Sequence, residues 1–182
     1  MLAEAIALVM LVALLLYALL AGADFGGGVW DLLAFGPRAS KQRQLIARAI
    51  GPIWEANHVW LILIIVLMFT CFPVVFAALS IALHIPFMMM LIGIVLRGSA
   101  FAFRSYDERS ASIQQRWGAV FAIASAFTPI LLGVCLGAVT AGPIFLPDSR
   151  FPPNFLSSWT KAFPWAVGMF TLALFSFLAA IY

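Results

Sequence analysis

Long apolar stretches without Asp, Glu, Lys or Arg dominate the chain, and they predict its helices. Four such stretches cover residues 5–23, 56–96, 117–147 and 162–182. A transmembrane helix needs about 20 mostly apolar residues, so the second stretch is long enough for two helices. Pro73 marks their division because proline has no N–H group to donate within a helix. The predicted transmembrane helices, all within a single transmembrane domain over residues 1–182, are 5–30, 53–71, 74–100, 117–140 and 162–182.

Composition narrows the class of protein further. The chain is 65% hydrophobic and 9% charged, with a mean hydropathy of +1.10, whereas soluble domains are about 45–50% apolar and about 25% charged. A soluble globule is excluded, and the lipid bilayer is the solvent that this composition fits. The predicted fold class is an all-α, polytopic membrane protein with a four-helix transmembrane bundle plus a fifth transmembrane helix.

Basic residues in short loops predict the orientation, because such residues remain on the cytoplasmic side. The first and third predicted loops carry Arg38, Lys41, Arg43 and Arg48, and Arg104, Arg109 and Arg116, respectively. The N-terminus is therefore predicted to lie outside. The loops also explain the sequence pI of about 9.2, and no basic stripe with interleaved aromatic residues indicates nucleic-acid binding.

Asp24 is the first of two acids predicted near the cytoplasmic end of a membrane helix. An acid inside a membrane segment is a functional candidate by default. It lies among glycines, and Gly22 and Gly26 have the spacing that lets another helix approach closely. Burial between helices is one interpretation, and an acid solvated at a helix end is the other.

Glu55 is the second such acid, and it opens the next predicted helix. Residues three and four apart share a helix face, so Trp54, Glu55 and His58 form one patch that Asn57 and Trp60 flank. An interfacial aromatic belt explains the tryptophans but not the polar residues between them. A carboxyl group in partly apolar surroundings can take up and pass on protons near neutral pH. Glu55 is therefore predicted to be a proton relay, with Asp24 as a second relay or a member of its polar cluster.

Arg97 ends the third predicted helix at the same depth as the two acids. Its side chain either extends to cytoplasmic headgroups or pairs with Asp24 or Glu55. His58 and His84 stand outside any cluster with the spacing of metal ligands. We therefore predict no metal site and no cofactor ligated directly by this chain.

Three segments resemble subunit II of the cytochrome bd-type quinol oxidases, a family that includes the cyanide-insensitive oxidases. They are Gly-Ala-Asp-Phe-Gly-Gly-Gly at 22–28, Gly-Pro-Ile-Trp-Glu-Ala-Asn-His-Val-Trp at 51–60 and Leu-Arg-Gly-Ser-Ala-Phe-Ala-Phe-Arg at 96–104. The resemblance covers essentially the whole chain. Subunits of this family are longer and have two similar four-helix halves, so the sequence resembles the first half plus the start of the fifth helix.

This resemblance implies a complex of the bacterial or archaeal inner membrane that oxidises quinol and reduces oxygen to water with protons from the cytoplasm. It implies haems b and d, or b only, in a haem-bearing partner, subunit I. It allows a bound quinone in this subunit and a small accessory subunit. By matching position, Glu55 would carry protons toward the partner's haem, although many relatives have Asp there. Trp54, Asn57 and Trp60 would shape its surroundings, and Asp24 and Arg97 would complete the polar cluster.

Two other functions remain open at this point. The chain could be half of a proton-coupled secondary transporter that uses Asp24 and Glu55, although transporters place such sites near mid-membrane. It could also be a purely structural scaffold, in which case removing both acids would leave a partner's activity unchanged.

Overall fold

The computed structural model of the chain describes residues 1–50, 54–106, 111–142 and 158–181. The described residues form α1 (Leu2–Leu32), α2 (Ala39–Ile50), α3 (Trp54–Cys71), α4 (Pro73–Ala82), α5 (His84–Tyr106), α6 (Ala111–Thr140) and α7 (Ala162–Ile181). No strand occurs in these ranges. The predicted all-α fold class is confirmed.

Four helices in the described part of the chain have the length and apolar composition needed to cross a membrane. They are α1, α6, α7 and the segment His84–Phe103 of α5. Helices α3 and α4 together also pass, but a bend of 117° separates them. The pair is either one broken span or a re-entrant segment, so the described residues contain four or five candidate spans.

Helix α1 is the centre of the bundle. It contacts α3, α6 and α7, while α6 also packs against α5 and α7. Tyr17, Ala21 and Phe25 of α1 meet Phe175 of α7 in a buried apolar cluster. Large apolar side chains such as Phe177 point outward and are exposed, as expected where the surrounding solvent is lipid.

The segment predicted as one helix over 74–100 contains two helices in the structure. Helix α4 ends at Ala82, Leu83 has φ −116° and ψ 18°, and α5 begins at His84. Pro86 explains the break, because it has no N–H group to donate to the carbonyl of Ala82 four residues earlier. The division predicted at Pro73 is present, with Pro73 as the first residue of α4.

The basic segment predicted as the first loop contains the helix α2. Arg43 on this helix donates from Nε to the carbonyl oxygen of Asp31 at 3.3 Å and from Nη2 to that of Ala34 at 3.2 Å. A basic side chain at a helix C-terminus satisfies carbonyl groups that have no partner within the helix. Arg43 therefore fixes α2 to the end of α1.

Gly26 sets the distance between α1 and α7. A Cβ atom at this position would collide with the backbone carbonyl of Phe175, which cannot move aside as a side chain can. A glycine in a membrane helix allows this backbone contact. Helices α1 and α7 therefore pack closely because residue 26 has no side chain.

We predict that Gly26→Ala lowers the stability of the chain, because α1 and α7 must separate. The expected loss is about 1–3 kcal/mol, the range for overpacked cores. Thermal unfolding in mild detergent measures it. Gly118→Ala in α6 is the matched control, since a Cβ there meets nothing within 4 Å and alanine favours the helix. Equal effects of the two substitutions would contradict the close α1–α7 contact.

Candidate functional site

Asp24 lies inside the helix bundle, seven helical residues before the C-terminal end of α1 that Arg43 caps. Its side chain is 2% exposed. On the next turn, Gly28 faces Ser125 of α6 so closely that a Cβ would collide with the serine side chain. The close approach of α6 and α7 to this end of α1 places the carboxyl group between helices and away from lipid.

Asn57 on α3 is the hydrogen-bond partner of the Asp24 carboxyl group. Its Nδ2 atom donates to Asp24 Oδ2 at 3.0 Å and approaches the carbonyl oxygen of Leu20 at 3.4 Å. Asn57 is itself 5% exposed. Since a buried polar group without a partner is costly, this pair determines how α3 packs on α1.

Arg97 on α5 is the cation of the same site. It donates from Nη2 to the backbone carbonyl of Asp24 at 3.0 Å and from Nε to Ser125 Oγ at 3.1 Å. The guanidinium also interacts electrostatically with the Asp24 carboxyl group. The side chain is 2% exposed, so its head lies within the bundle and does not extend to the headgroups.

Two aromatic rings complete the surroundings of Arg97. The guanidinium carbon lies 4.6 Å from the ring centroid of Phe25 and 5.2 Å from that of Phe121. Cation–π contacts of this kind are attractive, and more so when the cation is desolvated. The Arg97 guanidinium is therefore surrounded by hydrogen-bond acceptors, by the Asp24 residue and by two aromatic rings.

Helix α6 presents Ser125 to Arg97 at a point where its own hydrogen bonding is interrupted. Pro129 lies inside α6 and has no N–H group for the carbonyl of Ser125, four residues earlier. One turn of α5 before Arg97, Gly93 faces Thr128, and a Cβ there would collide with Thr128 Oγ1. Small residues thus bring α5 against the polar side of α6.

The predicted orienting residues on α3 lie beside this cluster. The ring centroid of His58 is 6.1 Å from that of Tyr17 and 6.1 Å from that of Phe25. Trp60 packs against the buried apolar cluster of Tyr17, Ala21, Phe25 and Phe175. The side chains of Trp54 and Glu55 lie outside the described residues, and only their helical backbone is described, in the first turn of α3.

Three buried polar residues on α1 and α6 have no role in the sequence predictions. The sequence assigns no function to Ser125, Tyr17 or Asp31, yet all three are 2% exposed or less. Ser125 and Thr128 are polar residues three apart in an apolar helix with an internal proline, which was an available signal. Tyr17 carried a weaker one, since it lies seven residues before Asp24 and Asp31 seven after it, on one helix face.

The described residues offer no metal centre. No group of three or more His, Cys, Asp or Glu side chains among them could hold a metal ion. His84 is exposed, and its Nδ1 atom lies 3.1 Å from the carbonyl oxygen of Ile81.

A buried hydrogen-bonded cluster of acid, amide and guanidinium in an apolar helix bundle defines a membrane protein with an intramembrane polar site. The sequence profile of the family described as cytochrome bd terminal oxidase subunit II matches residues 2–182. The chain belongs to this family, and it is an integral membrane protein of the bacterial inner membrane.

Relatives with reviewed names agree with this family. The chain is 32% identical over 123 residues to cytochrome bd ubiquinol oxidase subunit 2 of Bacillus subtilis, covering 68% of this chain and 36% of the relative. It is 29% identical over 139 residues to cytochrome bd-I ubiquinol oxidase subunit 2 of Escherichia coli K12, and this match covers 76% of this chain and 36% of the relative. A putative cytochrome bd menaquinol oxidase subunit II of Bacillus subtilis is 26% identical, and the match covers 76% of this chain and 39% of that relative. The chain thus matches less than half the length of each of these relatives.

We predict that Arg97→Met destabilises the chain by about 3–5 kcal/mol, because it leaves the buried Asp24 carboxyl group without its cation. The free energy of unfolding in detergent measures this loss. Arg38→Met is the matched control, since Arg38 is exposed and surface substitutions change stability by only about 0.5 kcal/mol. A loss at Arg97 no larger than that at Arg38 would show that the guanidinium is not held in the cluster.

Proposed function

We propose that the chain acts in a membrane-bound cytochrome bd-type quinol:oxygen oxidoreductase, beside a haem-bearing subunit I. Its role there is to support that subunit and to supply a proton path from the cytoplasm for the reduction of oxygen to water. The family assignment supports the complex, and the buried Asp24 cluster supports the path. The haems of the partner subunit supply the oxygen chemistry.

The observation that carries the proposal is the position of Asp24. A carboxyl group at the centre of a bilayer costs about 2.5–3.5 kcal/mol on insertion scales. This chain buries one between helices, where Asn57 donates to the carboxyl group and Arg97 donates to the backbone carbonyl of the same residue. Among these three side chains, the carboxyl group is the one that can carry an exchangeable acid proton, because the amide does not titrate and the guanidinium is not deprotonated in proteins.

Glu55 is the proposed proton relay of the sequence prediction, and Asp24 acts with it. Its backbone lies in the first turn of α3, two residues before Asn57, which is about 3 Å along the helix axis. Asn57 in turn contacts Asp24. The start of α3 and the C-terminal part of α1 therefore belong to the same region of the bundle, which supports a path that uses both acids.

The proposed direction of proton entry depends on the orientation of the chain. The basic helix α2 follows the end of α1 nearest Asp24, and basic loops favour the cytoplasmic side. We therefore place the N-terminus outside and the Asp24 end of α1 toward the cytoplasm. Protons would enter at that end.

Quinol is the proposed electron donor of the complex. A quinone bound by this chain itself would need a polar group for its carbonyl oxygens. A groove of about 340 Å³ between α5 and α6 is almost wholly apolar, with Met89, Ile92 and Phe127 in its lining. It suits an acyl or prenyl chain and supplies no such polar group. The small accessory subunit stays a prediction from the resemblance.

The secondary transporter is the alternative function. A bent or broken helix is a feature of transporters, and α3 and α4 are bent by 117°. The break at Phe72 and Pro73, however, is about 15 residues along the chain from Asn57 and Glu55, at the opposite end of α3. The broken helix does not frame the acids, so the oxidase subunit is favoured.

We predict that Asp24→Asn and Glu55→Gln, each in the intact oxidase, reduce quinol-driven oxygen consumption at pH 7 by about tenfold or more, as expected when a proton-transfer group is removed. An oxygen electrode measures the turnover. The visible haem spectrum of each preparation checks that the complex has assembled.

Glu4→Gln is the matched control for this experiment. Glu4 is exposed at the other end of α1, with its Oε2 atom 3.1 Å from the N-terminal amino group, and turnover is expected to stay unchanged. Full turnover in Asp24→Asn and Glu55→Gln, with normal haem spectra, would reject the proton path and favour a structural scaffold.

A further inference from the structure

The hydroxyl group of Tyr17 is a buried polar atom that the proposed function does not use. Tyr17 is 1% exposed, and its hydroxyl oxygen has no hydrogen-bond partner within the described part of the chain. The large majority of buried polar side-chain atoms in proteins bind a protein group or an ordered water. An orphaned hydroxyl inside an apolar bundle therefore points to a small polar ligand.

Tyr17 shares a face of α1 with Asp24 and Asp31. The three residues are spaced by seven, which is close to two helical turns, or about 10 Å along the axis for each step. All three are 2% exposed or less. Polar groups thus follow one buried face from the end of α1 near α2 to the middle of the helix.

The surroundings of Tyr17 connect it to the site already described. The Tyr17 ring belongs to the buried cluster that contains Phe25, whose ring centroid lies 4.6 Å from the Arg97 guanidinium carbon. The ring also meets His58 of α3 edge-on, with ring centroids 6.1 Å apart. Tyr17 therefore packs against residues that border the Asp24, Asn57 and Arg97 cluster.

We propose that the Tyr17 hydroxyl binds internal water that connects it to this cluster, so that the hydrated part of the site reaches the middle of α1. A phenol hydroxyl both donates and accepts hydrogen bonds, and a buried water makes about three such bonds. Water is the ligand whose size and bonding suit a single orphaned hydroxyl on the buried face of α1 that also carries Asp24. Tyr17 is then a positioning residue that holds water in line with Asp24.

The proposal deepens the proposed function and rests on it for the direction in which protons move. The hydration itself is independent of turnover. It is therefore tested on the full chain in lipid nanodiscs by infrared spectroscopy in H₂O and D₂O, without a haem partner. The difference between wild type and Tyr17→Phe isolates the bands of the Tyr17 phenol, because the other two tyrosines cancel.

The expected result is that the Tyr17 bands have the position of a hydrogen-bonded phenol and shift as soon as D₂O is added. In addition, Tyr17→Phe should not raise the thermal midpoint, since it removes satisfied hydrogen bonds. Thr171→Val is the matched control, because the Thr171 hydroxyl is satisfied within α7 by the carbonyl oxygen of Val167 at 2.8 Å. Its substitution should leave the Tyr17 bands unchanged.

A dry pocket would give the opposite results and overturn the proposal. The bands would then have the position of a free phenol and remain unshifted for hours in D₂O, and Tyr17→Phe would raise the thermal midpoint.

In the intact oxidase, Tyr17→Phe is expected to lower oxygen consumption severalfold. If the Tyr17 hydroxyl exchanges quickly with D₂O and Asp24→Asn keeps full turnover, the water at Tyr17 is supported and the proton path is rejected. If the Tyr17 hydroxyl exchanges slowly and Asp24→Asn lowers the turnover, the water at Tyr17 is rejected and the proton path is supported.

Discussion

The bundle depends on how it accommodates the charge of Arg97. A guanidinium cannot be deprotonated in proteins, so burial at 2% exposure requires groups that replace its water. Helix α1 supplies the backbone carbonyl and the carboxyl group of Asp24, and α6 supplies Ser125 Oγ. Asn57 of α3 then binds the carboxyl group. One buried cation thereby fixes the mutual positions of four helices.

Close helix packing makes this arrangement possible. Gly26 allows α7 to contact the backbone of α1, Gly28 admits Ser125, and Gly93 admits Thr128. Lipid tails are as apolar as leucine, so helices in a bilayer gain little from apolar burial alone. Small residues and interhelical hydrogen bonds supply the association instead. The glycines around Asp24 therefore bring the helices close enough for the polar residues of the cluster to form hydrogen bonds between them.

The sequence predicted the features that depend on charge and proline. Stretches without charge located the spans, and Pro73 located the break between α3 and α4. The sequence predicts Asp24, Glu55 and Arg97 at one membrane depth. This allows Arg97 to pair with an acid but does not distinguish such pairing from a side chain extended to the headgroups. The choice between these depends on how α5 is rotated about its axis, which contact with Ser125 and Phe121 determines. The signals at Ser125 and Tyr17 are weak by comparison, because the hydrogen bond from Arg97 to Ser125 and the burial of Tyr17 depend on how the helices pack.

Coupling between Asp24 and Arg97 is the central claim, and a double-mutant cycle measures it most directly. The free energies of unfolding of wild type, Asp24→Asn, Arg97→Gln and the double variant give the interaction energy of the pair. The account predicts a coupling of about 1–3 kcal/mol, because each single change leaves a buried partner uncompensated. Additivity within about 0.5 kcal/mol, the behaviour of independent sites, would contradict it.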